Sequence, residues 1–226
     1  MTASNFITNI SLTTSKQLEF ESSYLGLMDY MKALNVQMDL GNLARDRNQI
    51  SVVGLQHPAV ITLGHRADEM TEILMSQNTR NIPIVRSTRG GLATIHSEGQ
   101  LVIYPIMNLR FLKLGVRDYV FLLLTTTQNL LEKYKIHSRI DLNGAGLYTE
   151  KGKIAFCGIH IREGITTHGV SLNIRNDLSL FQMIRSCGIQ NLKMDSMSEY
   201  QVSATLEEIY YQWSDCFRKN FQPIAE

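Results

Sequence analysis

Proline, cysteine and tryptophan are scarce in this chain: 4, 3 and 1 respectively among 226 residues. Three cysteines without paired spacing exclude a disulfide framework and indicate a reducing compartment, in which a reactive thiol persists. An excess of one charge sign is missing too. The formal net charge is +1, so neither nucleic acid nor a membrane surface is indicated as a partner. No apolar run approaches the ~20 residues of a bilayer span. The opening stretch MTASNFITNISLTTSKQLEF holds no acid before Glu19 and no arginine. It lacks the cationic start and apolar block of a secretory signal, and a cytoplasmic location is expected. Six histidines are scattered without close cysteine or acid partners, so no metal site is expected. Repeats, linkers and low-complexity segments are likewise missing. What is present is enough apolar material, 44%, for one substantial core. Residues 1–226 therefore read as a single domain, and as a monomer.

Hydrophobic periodicity outlines the elements. Tyr24, Leu27, Met28, Met31, Leu34 and Met38 recur at three- and four-residue steps, which predicts a helix over about 18–44 with these residues as its apolar stripe. Short β-rich runs at 51–56 and 59–63 are separated by His57-Pro58, whose proline removes a ladder donor. Residues 82–86, 92–96 and 100–109 read as strands around turns holding Gly90-Gly91 and Gly99. A second helix is expected over 116–134. Segments 146–149, 153–161 and 166–174 alternate as strands around the Lys151-Gly152 and Glu163-Gly164 turns. The last helix is expected over 204–221, with Ser203 as its N-cap and Leu206, Ile209, Tyr210, Trp213 and Phe217 on one face. Strands grouped centrally with helices at either end predict one α+β domain.

The chemistry concentrates in residues 144–189, GAGLYTEKGKIAFCGIHIREGITTHGVSLNIRNDLSLFQMIRSCGI. Cys187 lies between Ser186 and Gly188 after a short amphipathic run. A cysteine beside glycine in a turn combines an accessible sulfur with nearby backbone N–H groups, as an acyl-transfer nucleophile requires. Lys153 opens the apolar run 154–161, a placement that favours partial desolvation, which lowers an amine's pKa. Cys157 falls inside an apolar strand and Cys216 in the last helix, and both read as packing residues.

The blocks RGGLATIHSEGQLVIYPIMNL (89–109), KIAFCGIHI (153–161), TTHGVSLNI (166–174) and SCGI (186–189) resemble, in the same order, the signature blocks of lipoyl(octanoyl) transferases. With HPAVITLGHRAD (57–68) the resemblance extends over roughly residues 20–205. It implies the fold of biotin and lipoate protein ligase catalytic domains, a mixed central sheet flanked by helices. It also implies transfer of an octanoyl group from octanoyl-acyl carrier protein to a lysine of lipoyl domains. The implied acceptors are the lipoyl domains of 2-oxoacid dehydrogenase complexes and the glycine cleavage H protein. Carried over by position, Cys187 is the acyl-accepting cysteine and Lys153 its activating lysine. Arg89, Gly90, Gly91, His96, Gly99, Gln100, Gly158, His168, Gly169 and Asn173 are the implied substrate-binding residues, with His168 read as shaping the pocket. His57 and His65 suit structural or positioning roles. No cofactor is implied, because thioester exchange followed by aminolysis runs downhill without ATP.

Two departures from the family pattern stand out. The usual Gly-Pro after the block's histidine is Ser97-Glu98, which would set a carboxylate near the pocket mouth, and the usual proline before the cysteine is Ser186. The second is expected to alter loop stiffness and leave the nucleophile in place. An octanoyl chain needs an apolar tunnel, for which Leu92, Ile95, Val102, Tyr104 and Ile159 are candidates; enclosing its six methylenes contributes on the order of 5 kcal/mol. Arg66, Arg86, Arg89 and Lys113 could form a basic patch for an acidic carrier. Competing readings are an ATP-dependent lipoate ligase of the same fold, which does not need Cys187, and an amidotransferase moving octanoyl between lipoyl domains. A non-catalytic module that binds lipoyl domains or carrier protein is the third.

Overall fold

A computed structural model describes residues 19–74, 81–188 and 192–221, without the side chain of Cys187. The chain enters as a strand, where a helix is expected: β1 (Phe20–Leu27) pairs parallel to β2 (Ile50–Gln56). Asp29 then starts helix α1 (Tyr30–Arg47), its side chain accepting from the backbone N–H groups of Met31 and Lys32 at 2.9 and 3.1 Å. Asn48 closes the helix in the left-handed conformation, φ 56°. The predicted stripe is also on the wrong side. The buried face is Tyr30, Ala33, Gln37, Gly41 and Ala44, while Met31 and Met38 are 54% and 66% exposed. Small residues let the helix lie close on the sheet, and the flexible methionines are left in solvent.

Among the described residues, one seven-stranded mixed sheet has the order β1-β2-β6-β10-β9-β8-β7. Its members beyond β2 are β6 (Gln100–Ile106), β7 (Arg139–Asp141), β8 (Gly146–Tyr148), β9 (Lys153–Arg162) and β10 (Ile165–Asn173). Only the β1–β2 pair is parallel; the other neighbours run antiparallel. A smaller sheet, β4-β3-β5, holds β3 (Val60–Leu63), β4 (Ile84–Arg86) and β5 (Ala93–His96), with the short helix α2 (Glu69–Glu72) beside it. Helices α3 (Val116–Lys133) and α4 (Leu206–Phe221) pack together on one face of the large sheet. Helix α1 covers part of the other face, against β2, β6 and Ile165. The expected α+β class, a mixed sheet flanked by helices, is the one adopted.

The main core lies under α3 and α4. Leu206, Ile209, Tyr210, Trp213 and Phe217 are all buried, as the helical period of α4 predicts. Its cap is Thr205 and not Ser203: the Thr205 hydroxyl accepts from the Glu208 N–H, and the Glu208 carboxylate accepts from the Thr205 N–H at 2.7 Å. The buried indole N–H of Trp213 donates to the Thr127 hydroxyl at 2.9 Å, and the Tyr210 hydroxyl donates to the Val52 carbonyl at 2.7 Å. These bonds tie α4 to α3 and to the sheet. Trp213→Ala should lower the unfolding free energy by about 3–5 kcal/mol. Met38→Ala, on the solvent face of α1, should change it by no more than about 0.5 kcal/mol. Urea denaturation of both variants checks the assignment of faces.

Candidate functional site

The two sheets enclose a cavity of about 370 Å³. Leu92, Thr94 and His96 wall it from the small sheet, Val102 and Tyr104 from β6, and Lys153, Cys157 and Gly158 from β9. Gly169 and Ser171 of β10 complete the strand walls, and the turn at Arg89–Gly91 and the loop at 141–145 close it.

Lys153 is fully buried at the start of β9. A buried amine must find hydrogen-bond partners, and its Nζ donates to the Gly144 carbonyl at 2.6 Å. It lies 4.9 Å from the Phe156 ring centroid and 5.2 Å from that of Tyr148, so the two aromatic faces add a cation–π contact to its charged form. Gly146 is required beside it: a Cβ there would come within 2.5 Å of Lys153 Cε and 2.3 Å of the Ala155 carbonyl oxygen. The backbone of Lys153 is held on both sides, its N–H donating to Lys193 and its carbonyl accepting from Asp195, each at 2.9 Å.

Away from the lysine, the cavity ends in rings. Tyr30 stands edge-on to His57 and stacked over His96, and Tyr104 meets His168 edge-on. His57 Nδ1 lies 2.7 Å from the Met28 carbonyl, which can only accept, so that nitrogen is the donor and Nε2 accepts from the Tyr104 hydroxyl at 2.9 Å. Burial, aided by the neighbouring His57, pushes His96 down to about 3. Burial, aided by the Arg89 guanidinium, does the same to His168. Both rings are neutral at physiological pH. His168 sits in the left-handed region, φ 58°, where its N–H donates to the side-chain oxygen of Gln37 on α1 at 2.6 Å.

A model of the lipoyl protein ligase A/B catalytic domain matches residues 29–218. Octanoyltransferases of Shewanella woodyi and Vibrio vulnificus are 32% and 38% identical to this chain, over 87% and 77% of it and 88% and 78% of their own lengths. The chain belongs to this lipoyl ligase and transferase family. Its fold agrees. A bi-partite lipoate protein ligase from Thermoplasma acidophilum superposes with a TM-score of 0.68 at 12% identity, over 90% of this chain and 84% of that one. Biotin protein ligase from Aquifex aeolicus gives 0.55 at 11%, over 89% and 70%. With its octanoyltransferase relatives the chain is an enzyme of the acyltransferase class.

Within the family fold, most of the expected site residues converge. Lys153, Arg89, Gly90, Gly91, His96, Gly158, His168 and Gly169 all line the cavity. Cys187 falls in a single 3-10 turn, Ser186–Gly188, that packs against β5, and a Cβ on Gly188 would lie 3.3 Å from Leu92 of the cavity wall. The Cys187 side chain lies outside the described part of the structure, as does the Ser/Thr-rich opening stretch. Gly99, Gln100 and Asn173 are not in the lining; each is built into hydrogen bonds behind the wall. Arg89 turns inward, donating to the Thr62 hydroxyl and carbonyl and to the Gly90 carbonyl. It is buried and so adds nothing to a surface patch, unlike exposed Arg66 at the cavity rim. Glu98 is exposed on the β5–β6 turn and stays out of the lining. Of the tunnel candidates Leu92, Val102 and Tyr104 line the cavity, while Ile95 and Ile159 point into core clusters, the register reversal to which strands are prone.

Sequence reasoning missed Tyr30, Tyr148 and Phe156. Tyr30 was hidden by the misplaced helical stripe, Tyr148 carries no motif, and Phe156, inside the block 153–161, reads there as an ordinary apolar strand residue. Cys157 faces the cavity, but desolvation pushes its thiol up to about 12 against the pull of Lys153, which leaves it unreactive. Among the described residues no cluster of His, Cys, Asp or Glu could hold a metal ion, and no helix is long and apolar enough to cross a membrane.

The buried imidazoles set an acid limit on stability. Unfolded histidine titrates near 6.5, whereas His96 and His168 stay neutral down to about 3. As pH falls from about 6.5 to 3 the unfolded chain takes up protons that the native rings refuse. Each ring should then remove on the order of 1 kcal/mol of stability per pH unit. Urea unfolding between pH 7 and pH 5 should show this decline, with a shallower slope for His168→Gln.

Proposed function

We propose that the chain transfers an octanoyl group from octanoyl-acyl carrier protein to a lysine of lipoyl domains, through a thioester on Cys187. The observation that carries this reading is the buried amine of Lys153 in the wall of a cavity whose β5 side supports the Cys187 turn. The octanoyltransferase relatives support the acyl group and the lipoylation context. The acceptors, by the same reading, are the lipoyl domains of 2-oxoacid dehydrogenase complexes and the glycine cleavage H protein, and the enzyme works in the cytoplasm.

The steps balance without an external energy source. Lys153 takes the Cys187 proton, giving an ammonium–thiolate pair in which each charge offsets the cost of burying the other. The thiolate attacks the donor's thioester carbonyl. The bond from that carbonyl carbon to the pantetheine sulfur breaks, and the leaving thiolate takes the proton from Lys153. The acceptor lysine then attacks the acyl-enzyme as a free amine, its carbon–nitrogen bond forming as the bond to Cys187 sulfur breaks. Its surplus proton passes to Lys153 and on to the Cys187 thiolate. The protons belong to the coupled pair rather than to either residue. The aliphatic and aromatic lining at Leu92, Val102 and Phe156 suits an alkyl chain, each enclosed methylene contributing about 0.8 kcal/mol.

Intact-protein mass spectrometry after mixing the chain with octanoyl-acyl carrier protein, without ATP, tests the reading. One octanoyl adduct is expected on the wild type, none on Cys187→Ser, and loss of the adduct when a lipoyl domain is added. Octanoylation that appears only with free octanoate and ATP would assign the chain to the ligases instead. Lys153→Ala should slow acylation by 100-fold or more at neutral pH, the scale of a lost general base. Part of that loss should return as pH approaches ~8.5, where a free thiol ionises unaided. Equal rates for variant and wild type across pH would remove Lys153 from the mechanism.

A further inference from the structure

Gln100 and Asn173 form a hydrogen-bonded line behind the cavity wall, and its direction is fixed at one end. The Asp195 carbonyl can only accept, so the Asn173 side-chain nitrogen is the donor, at 3.0 Å. Asn173 Oδ1 therefore accepts from Gln100 Nε2 at 2.9 Å, and from Asn176 Nδ2 at 3.2 Å. Gln100 Oε1 is left facing His96 Nδ1 at 2.7 Å. An amide oxygen needs a donor there, so Nδ1 carries the ring's proton. Gln100 and Asn173 are both fully buried, which keeps water from competing for these bonds. Asp195 is also the residue whose N–H donates to the Lys153 carbonyl. One line of bonds thus connects the backbone at Lys153 to the imidazole at the other end of the cavity.

We propose that Gln100 and Asn173 are positioning residues that lock His96 as its Nδ1–H tautomer, leaving Nε2 as a standing hydrogen-bond acceptor in the acyl-transfer cavity. The ring lines that cavity and is stacked on Tyr30, with centroids 6.3 Å apart and planes at 16°. The charged and titratable groups that bear on it are the His57 and His168 imidazoles and the Arg89 guanidinium, with Tyr30 stacked on the ring and Tyr104 beyond His57. All of these oppose a second proton on the ring or leave it unaffected, so the tautomer is the remaining variable. Locked this way, His96 accepts an N–H or O–H from a bound substrate and cannot donate to a carbonyl. The opposite tautomer would reverse that preference.

The kinetic part of this inference rests on the proposed octanoyl transfer; the tautomer part does not. Long-range proton–nitrogen correlation spectra of histidine-labelled protein, with His96 assigned by His96→Gln, read the tautomer directly. In the wild type Nδ1 should be protonated and Nε2 bare from pH 8 to pH 5. Gln100→Met should mix the two tautomers and lower kcat/KM for octanoyl transfer about tenfold, the size of one neutral hydrogen bond. Gln100→Glu keeps an acceptor for Nδ1–H, so it should restore the tautomer and raise the pH at which the ring titrates. Asn173→Ala, which acts one link further away, should shift the tautomer in the same direction as Gln100→Met. A wild-type ring protonated on Nε2 overturns the proposal even if no variant folds. So does a Gln100→Met enzyme with a shifted tautomer and wild-type kinetics. The predicted wild-type tautomer in a protein that transfers no octanoyl would leave the lock standing and remove the transfer reading.

Discussion

A lysine amine shut away from solvent is the constraint around which the rest of this molecule is arranged. Such a group is costly to bury unless it is hydrogen-bonded, and the chain supplies the partners locally. The β7–β8 connection brings the Gly144 carbonyl to the Lys153 nitrogen. Gly146 leaves room for the side chain to pass, and Tyr148 and Phe156 present ring faces to its nitrogen. The residue is also anchored through its own peptide by Lys193 and Asp195. The strand that carries Lys153 is pinned before any substrate arrives, which fixes the reach that the proposed proton transfer would need.

The second constraint is the space between the two sheets. The small sheet meets the large one through the cluster of Ile61, Leu63, Ile95, Phe156 and Phe181, and the cavity remains where the strands diverge. Its two ends differ in chemistry. Near the lysine the rings of Tyr148 and Phe156 face the polar loop that carries Asp141, Asn143 and Gly144. At the other end Tyr30, His96 and Tyr104, with His57 behind them, form a network of neutral hydrogen-bonding rings. Burial keeps those imidazoles uncharged, so the cavity holds polar groups without adding to the positive charge of Arg89. Rings that titrate near 3 are weak proton acceptors, so that end of the cavity holds no strong base to compete in the proposed acyl transfer.

Much of this arrangement was legible in the amino-acid order, and the failures share a physical cause. The β9–β10 hairpin follows from the Glu163-Gly164 turn between two runs of β-forming residues, and α4 from its 3.6-residue period, although its cap is Thr205 where Ser203 is expected. Helix α1 misled because its buried face mixes Tyr30 and Gln37 with the small residues Ala33, Gly41 and Ala44, and Gly41 packs against Ile165. An apolar period cannot report a face chosen for closeness. Lys153 could be found from its place at the edge of an apolar run. Asn173 and Gln100 could be placed on strands, but their partners could not. The carbonyl that orients them belongs to Asp195, beyond β10 in sequence and brought back by the fold. Hydrogen-bond partners chosen by tertiary packing leave no local signature, and neither does the strand register that sent Ile95 and Ile159 to the core.

The Ser97-Glu98 departure shows how position decides what a substitution can do. The turn from β5 to β6 is held at Gly99, whose φ of 86° suits glycine. Its N–H donates to Gln56 Oε1 at 2.8 Å and its carbonyl accepts from the Arg175 N–H at 3.0 Å. A Cβ at this residue would lie 2.8 Å from the Asn176 backbone nitrogen, so residue 99 is fixed by conformation and by contact together. Residue 98 is the outward corner of the same turn, and Glu98 projects into solvent there. A proline at that corner would restrict the unfolded chain and stiffen the turn, but it would bring no group nearer the cavity. His96 and Gln100, on either side, keep their mutual hydrogen bond with Ser97-Glu98 between them. The departure therefore bears on the stability of a turn, while the chemistry of the cavity wall is carried by residues that the departure leaves in place.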